Sequence, residues 1–188
     1  MRLRHLRLQL YLSMLALLSW GLVKLTVTEE AVLAVIPPHS PDLFSTGYTK
    51  WEMAENGSLK SKLIADRMTH YSDDGTTHLD KPLMFFHNET TPPWVVKAEA
   101  GILSADGKDL KLNGKVLVER AQAPGVKPLI INTSNLKVKP ETHYAETDEW
   151  AELISVPNRT TGVGMKLVFE QPIHLQLLSK VKGKYETK

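Results

Sequence analysis

Cysteine is absent from the 188 residues, which excludes disulfide scaffolding, thiol catalysis and cysteine-ligated zinc. The compartment stays open, because domains of this size fold on their core alone. A basic stripe interleaved with aromatics is also missing. The formal net charge is +2, but Arg2, Arg4, Arg7 and Lys24 all precede the first acidic residue, Glu29, and removing those four charges leaves −2 on the rest. A slightly acidic domain lacks the clustered cations that nucleic-acid phosphates require, so no nucleic-acid partner is expected.

Catalytic signatures are lacking as well. There is no GxSxG, P-loop or Rossmann pattern. His5, His39, His70, His78, His87, His143 and His174 form no HExxH and no other close ligand pair. His70 and His78 flank a turn and could meet across a hairpin, but ordinary surface roles account for them better than a metal. Asp73 and Asp74 adjoin Gly75, so turn formation explains them better than acid–base work. Gly162-Val163-Gly164 has no strand–helix context for phosphate and reads as a bend or a close strand contact. The chain is therefore expected to be no enzyme, with no cofactor and no metal.

What is present begins with MRLRHLRLQLYLSMLALLSWGLVKLTV. Three arginines precede a mainly apolar run from Leu8 to Val27, interrupted by Gln9, Ser13, Ser19, Lys24 and Thr26. At about 1.5 Å per residue, a helix of this length just crosses a hydrocarbon core of about 30 Å. Gln9 and Lys24 lie near its ends, where long polar side chains reach the interface. The positive-inside rule places residues 1–7 in the cytoplasm and everything after the helix outside it. A cleaved signal peptide shares the charged start and apolar run, but no small-x-small site follows, and Trp20 and Lys24 occupy the region where one should sit.

Residues 28–45 read as an extended tether, with three prolines at 37, 38 and 41 favouring solvated, extended backbone. From Thr46 to the C-terminus helical periodicity disappears and short alternating runs recur between turn residues, so residues 46–188 are expected to form one all-β domain. Leu79, Leu83 and Phe85 share one parity, as do Leu110, Leu112, Val116 and Val118, and again Ile173, Leu175 and Leu177. Asp73-Asp74-Gly75, Asp106-Gly107 and Asn113-Gly114 supply turns that accept positive φ. KSKLIADRMTHYSDDGTTHLDKPLMFF, PWVVKAEAGILSADGKDLKLNGKVLVER and PLIINTSNLKVKPETHYAETDEWAELIS repeat one pattern of strand, turn and strand, with Ala65, Ala98 and Thr133 equivalent. Such strand pairs suit a jellyroll or a solenoid. Either leaves edge strands open to pairing with another β protein.

Two features have bland explanations. Asn56, Asn88, Asn132 and Asn158 begin N-x-S/T triplets, which chance supplies in a chain rich in turns and strands. Lys180, Lys182, Lys184 and Lys188 read as a solvated or frayed tail, with attraction to anionic sugars or phosphates as the functional alternative.

The stretches LIADRMTHYSDDGTTHLDKP, PWVVKAEAGILSADGKDLKLNGKVLVE, TTGVGMKLVFEQ and KVKGKYE, in this order behind a basic anchor, resemble the LptC family. That family is the bitopic inner-membrane component of the lipopolysaccharide export machine. The resemblance implies a periplasmic β-jellyroll open along one side, whose apolar interior receives acyl chains. It implies lipid contacts at Tyr48, Leu79 and Leu175, with Leu63, Met68, Leu83, Phe85, Leu112, Val118, Leu136 and Val138 lining the interior. The implied partners are lipopolysaccharide, an inner-membrane ABC transporter of the LptB, LptF, LptG type that pairs with a first strand near Tyr48 to Met53, and a bridge protein of the LptA type that pairs with a last strand near Ile173 to Leu178. Leu79 stands where an aromatic also occurs in the family, and Ser155 where a glycine can occur. Two other readings stay open at this level: an adaptor whose interior is simply a packed core, and a glycosylated type II secretory enzyme. An uncleaved anchor predicts that the protein extracted from membranes has an intact mass that includes residues 1–27; a mass beginning after Val27 would establish a signal peptide instead.

Overall fold

The computed structural model describes residues 2–26, 39–88, 91–170 and 172–185, in two compact units, Met1–Pro37 and Pro38–Lys188. The first contains α1 (Arg2–Thr26). Its leucines, arginines, Gln9, Met14 and Ala16 are strong helix formers, and Gly21 is the one residue of low propensity inside it. Lys24 in the last turn suits the partial negative charge at a helix C-terminus. Leu10, Tyr11, Leu12, Met14, Leu15, Leu17, Leu18, Trp20, Leu22 and Val23 are all exposed, so the apolar surface runs round the whole cylinder rather than along one stripe. Among the described residues no helix is long and apolar enough to cross a membrane; the described side chains run unbroken from Gln9 to Leu25.

The second unit is all β. Its strands are β1 (Pro41–Met53), β2 (Leu59–Tyr71), β3 (Thr77–Asp80), β4 (Leu83–Phe86), β5 (Trp94–Leu103), β6 (Leu110–Arg120), β7 (Leu129–Lys139), β8 (Tyr144–Ser155), β9 (Asn158–Val168) and β10 (His174–Lys184). They form one sheet in the order β1-β2-β3-β5-β6-β7-β8-β9-β10, with β4 also between β2 and β5. Every pairing is antiparallel. The sheet is rolled: Phe86 of β4 packs against Phe169, just past β9, with ring centroids 4.5 Å apart, although β5 to β8 separate the two strands along the sheet. The roll does not close. Among the described residues β1 pairs with β2 alone and β10 with β9 alone.

Register shifts in mid-strand let the sheet fold over. They fall between Ala98 and Ala100, Leu112 and Lys115, Asn132 and Lys137, and Thr147 and Trp150, on four consecutive strands. Each extra residue bends its strand and sharpens the local twist. Ala98 and Thr133, equivalent in the repeat, both lie opposite Val116 at this crease. Backbone carbonyls disturbed by the shifts find side-chain donors: the Thr133 hydroxyl donates to the Trp150 carbonyl (2.9 Å) and the Thr147 hydroxyl to the Ser134 carbonyl (2.8 Å). Gly114 is needed here because its φ of +77 lies where residues with a Cβ are strained. At Gly164, φ +75, a Cβ would come within 2.9 Å of Leu178, so the paired glycines of β9 mark a close strand contact.

Three expectations need correction. Leu83 and Phe85 do not share the buried face of Leu79. Asp80-Lys81-Pro82 interrupts the run, with Lys81 at φ +47, so β3 and β4 are separate strands and the parity resets. Met84 and Phe86 take the inner face instead, opposite Val96 and Trp94. Lys180, Lys182 and Lys184 are not a frayed tail but belong to β10, while Lys188 lies outside the described residues. Finally, β1 begins at Pro41, inside the stretch read as tether; a proline is tolerated as the first residue of an edge strand, where no partner needs its missing N–H. The remainder of that tether, residues 28–38, lies outside the described residues. The corrected parity predicts that Phe86→Ala costs about 3–5 kcal/mol, the range for deleting a buried aromatic, whereas Phe85→Ala costs about 1 kcal/mol or less. Urea denaturation of the two variants checks the ranking.

Candidate functional site

The rolled sheet gives every strand an inner and an outer face, and the inner face is one continuous apolar cluster. Leu63, Met68, Leu79, Leu112, Val118, Leu136 and Val138 are buried in it. Tyr48 on β1 and Leu175 on β10 are half-buried and pack against it from the two edge strands. Nine of the eleven residues expected to line the interior are thus brought together, and Leu83 and Phe85 are not. Sequence reasoning missed Met84, Phe86, Trp94, Ile131, Met165, Leu167 and Phe169. The signal for Trp94 was available, since a tryptophan opening a Val-Val run after two prolines reads as a strand start on an apolar face.

The interior is filled. Trp94 and Ile131 have 0% of their surface exposed. At one end, Lys50, Glu52, Ser61, Leu63, Met84 and Leu110 help enclose a cavity of about 30 Å³, the volume of about one water. Desolvation pushes the Glu52 carboxyl upward, but the Lys60 ammonium at 3.2 Å and the Ser61 hydroxyl at 3.1 Å outweigh it and hold the carboxyl below its ordinary range. Burial raises the Tyr48 hydroxyl above its usual value.

Both edges are exposed but differ in chemistry. β1 presents Leu43, Phe44, Trp51 and Met53, with the Arg67 guanidinium over Phe44 (5.9 Å) and the Lys62 ammonium over Trp51 (5.7 Å). β10 presents Leu178 and Val181 beside Lys180, Lys182 and Lys184.

This arrangement has solved and curated counterparts. A family model described as "Lipopolysaccharide-assembly, LptC-related" matches residues 10–186. The chain belongs to the LptC-related family. Lipopolysaccharide export system protein LptC of Escherichia coli K12 is 24% identical over 176 residues, covering 93% of this chain and 90% of that protein, and the LptC of Shigella flexneri matches to the same extent. The crystal structure of LptH, described as the LptA-homologous periplasmic component of the lipopolysaccharide transport device of Pseudomonas aeruginosa, has a TM-score of 0.53 at 10% identity, covering 68% of this chain and 95% of that one. That likeness establishes the fold, a jellyroll-like antiparallel sheet, and nothing more.

Several polar groups of this LptC-related chain take structural places. His70 and His78 do not join in a metal pair: His70 Nδ1 lies 3.1 Å from the Thr77 hydroxyl, while His78 tilts against Tyr71. His39, Asp73 and Asp74 offer ligand atoms within 4.8 Å of one another and could hold a cation. All three are exposed, His39 is stacked on Tyr71 with Nδ1 3.1 Å from Asp73, and Asp74 accepts from the Thr76 amide and hydroxyl in the turn. The Ser155 hydroxyl donates to the Pro128 carbonyl (3.0 Å). Because the Glu52 carboxyl is depressed in the folded state, its contribution is present above the ordinary glutamate value and is lost as pH falls through the folded one. Wild type is therefore expected to melt above Glu52→Gln at neutral pH, with the difference closing on acidification. Thermal melts across pH 3–7 check this; a gap that widens on acidification would reverse the assignment.

Proposed function

We propose that the chain transfers lipopolysaccharide without catalysis, receiving it from the inner-membrane ABC transporter of the LptB, LptF, LptG type and passing it to a periplasmic bridge protein of the LptA type. The observation that carries this reading is the apolar interior running from Tyr48 on one free edge strand to Leu175 on the other, in a chain of the LptC-related family. Each methylene that leaves water gains about 0.8 kcal/mol, so an acyl chain has a strong drive into such an interior. The filled core means that the two halves must part to admit it, and the crease residues are where an unclosed sheet can flex. The edge strands present unpaired backbone groups for strand addition, β1 to the transporter's periplasmic β domain and β10 to the bridge protein. The residues 8–27 act as the anchor, with residues 1–7 cytoplasmic, the domain periplasmic and no nucleic acid involved. The exposed apolar surface all round α1 supports this placement. Membrane anchoring also accounts for the arginines at its start.

A second reading, an adaptor that only assembles the transport complex, is favoured by the tight interior packing. Photocrosslinking amino acids separate the two. Placed at Leu79 and Leu175 in the intact machine supplied with ATP, they are expected to capture lipopolysaccharide, whereas a crosslinker at the outward Phe85 captures none. A folded protein without adducts at Leu79 and Leu175 would leave the adaptor reading standing.

A further inference from the structure

One end of the interior departs from its apolar chemistry. Phe86, Trp94, Arg120 and Leu129 are consecutive cross-strand partners on β4, β5, β6 and β7, so they form one row across the sheet. Phe86 and Trp94 are buried on the inner face, and directly opposite partners share a face. Arg120 is therefore a cation turned to the inside on a central strand. Its guanidinium carbon lies 4.8 Å from the centre of the Trp94 ring. One arm is fixed, since Nη2 donates to the Lys127 carbonyl at 3.3 Å. Its Nε is buried with no acceptor among the described residues, and burial pulls the group below its ordinary pKa.

Among the described residues, two donors on β5 or just before it are in the same condition. Trp94 is fully buried and its indole N–H has no protein partner. The Thr91 hydroxyl, three residues earlier in the chain, has none either. A buried donor left without an acceptor is destabilising, and Trp94 and Thr91 repeat that condition within a few residues of one another. His143 reaches the same end from the other half of the roll, its ring 6.4 Å from Phe86 and 5.5 Å from Phe169. Glu119, the residue before Arg120, accepts from Lys97 at 3.0 Å, and Glu170 lies 3.3 Å from His143 Nδ1. Among the described residues no carboxylate pairs with Arg120.

A guanidinium Nε, an indole N–H and a hydroxyl, each without an acceptor among the described residues, suit an anion with several oxygens. A phosphate monoester offers three terminal oxygens, and arginine's fork matches it in two-point fashion. We propose that Arg120, Trp94 and Thr91 form a phosphate-binding site at this end of the interior. Its occupant is a phosphate group with at least three terminal oxygens, either the monoester head of an amphiphile whose chains lie among the core residues or free inorganic phosphate. The first source rests on the lipid-transfer reading; the site itself does not.

The test uses the full chain in detergent micelles with ¹⁵N-labelled tryptophan, the Trp94 indole signal being assigned through Trp94→Phe. Inorganic phosphate is expected to move that signal saturably while the signals of Trp20, Trp51 and Trp150 stay in place. Arg120→Gln should weaken the response at least tenfold, and Arg120→Lys, which keeps the charge without the fork, should recover part of it. If Arg120→Gln fails to fold, Arg120→Lys and Thr91→Ala carry the comparison. A second arm photocrosslinks phosphorylated and dephosphorylated lipopolysaccharide from Leu79. Capture that drops about tenfold on dephosphorylation or on Arg120→Gln identifies the lipid head as the source. A saturable phosphate shift without any capture supports the site with free phosphate and removes the lipid-transfer reading. Capture that ignores both the phosphate groups and Arg120, with no saturable shift in a folded protein, overturns the site and leaves lipid transfer intact.

Discussion

An antiparallel sheet in which each strand joins mainly its sequence neighbours can bury an apolar face only by rolling onto itself. The contact of Phe86 with Phe169 across four intervening strands is where that requirement is met. The crease, the alternation of inner and outer residues and the two unpaired edges all follow from it. Closing the roll would remove the edges and stabilise the sheet. It would also seal the interior and take away both surfaces for strand addition. The unclosed form leaves β1 and β10 each with one paired side among the described residues.

The mid-strand irregularities are a condition of this geometry. Uniform strands would hold the sheet in a gentle twist, whereas register shifts aligned on β5 to β8 concentrate the bend. Each leaves backbone groups out of ladder register, and the buried hydroxyls of Thr133 and Thr147 satisfy two of the carbonyls. The small residues of the sequence repeat are therefore crease residues: Ala98 leaves room beside Val116, and Thr133 adds a donor where the ladder is disturbed.

This division explains how much was legible in the sequence. Period-two alternation identified the all-β domain and placed Leu110, Leu112, Val116 and Val118 together, because Gly114 accepts the positive φ that bends β6 without changing their parity. The same rule failed at Leu83 and Phe85, since a lysine at positive φ followed by a proline resets the count and neither residue announces how many positions are lost. Lysines at 180, 182 and 184 looked like a solvated end because the backbone pairing that holds them in β10 depends on β9, not on their own propensity. Arg120 escaped notice for a related reason: charge at a strand end reads as solvated, and only the partner strands reveal which way it faces.

The neighbour-by-neighbour strand order also governs how the chain acquires its structure. Hairpins between adjacent strands close short loops, whose entropic cost is small, so they can form in the order in which the chain emerges. The core cannot. Trp94 and Phe86 wait for Phe169, more than seventy residues later in the sequence, and until it arrives their aromatic surfaces lack that ring contact. Synthesis halted before β9 would yield a ribbon of correctly paired hairpins with its apolar side bare, a species prone to associate with any other open strand. The last fifth of the chain thus decides whether the earlier strands become a domain or an aggregate.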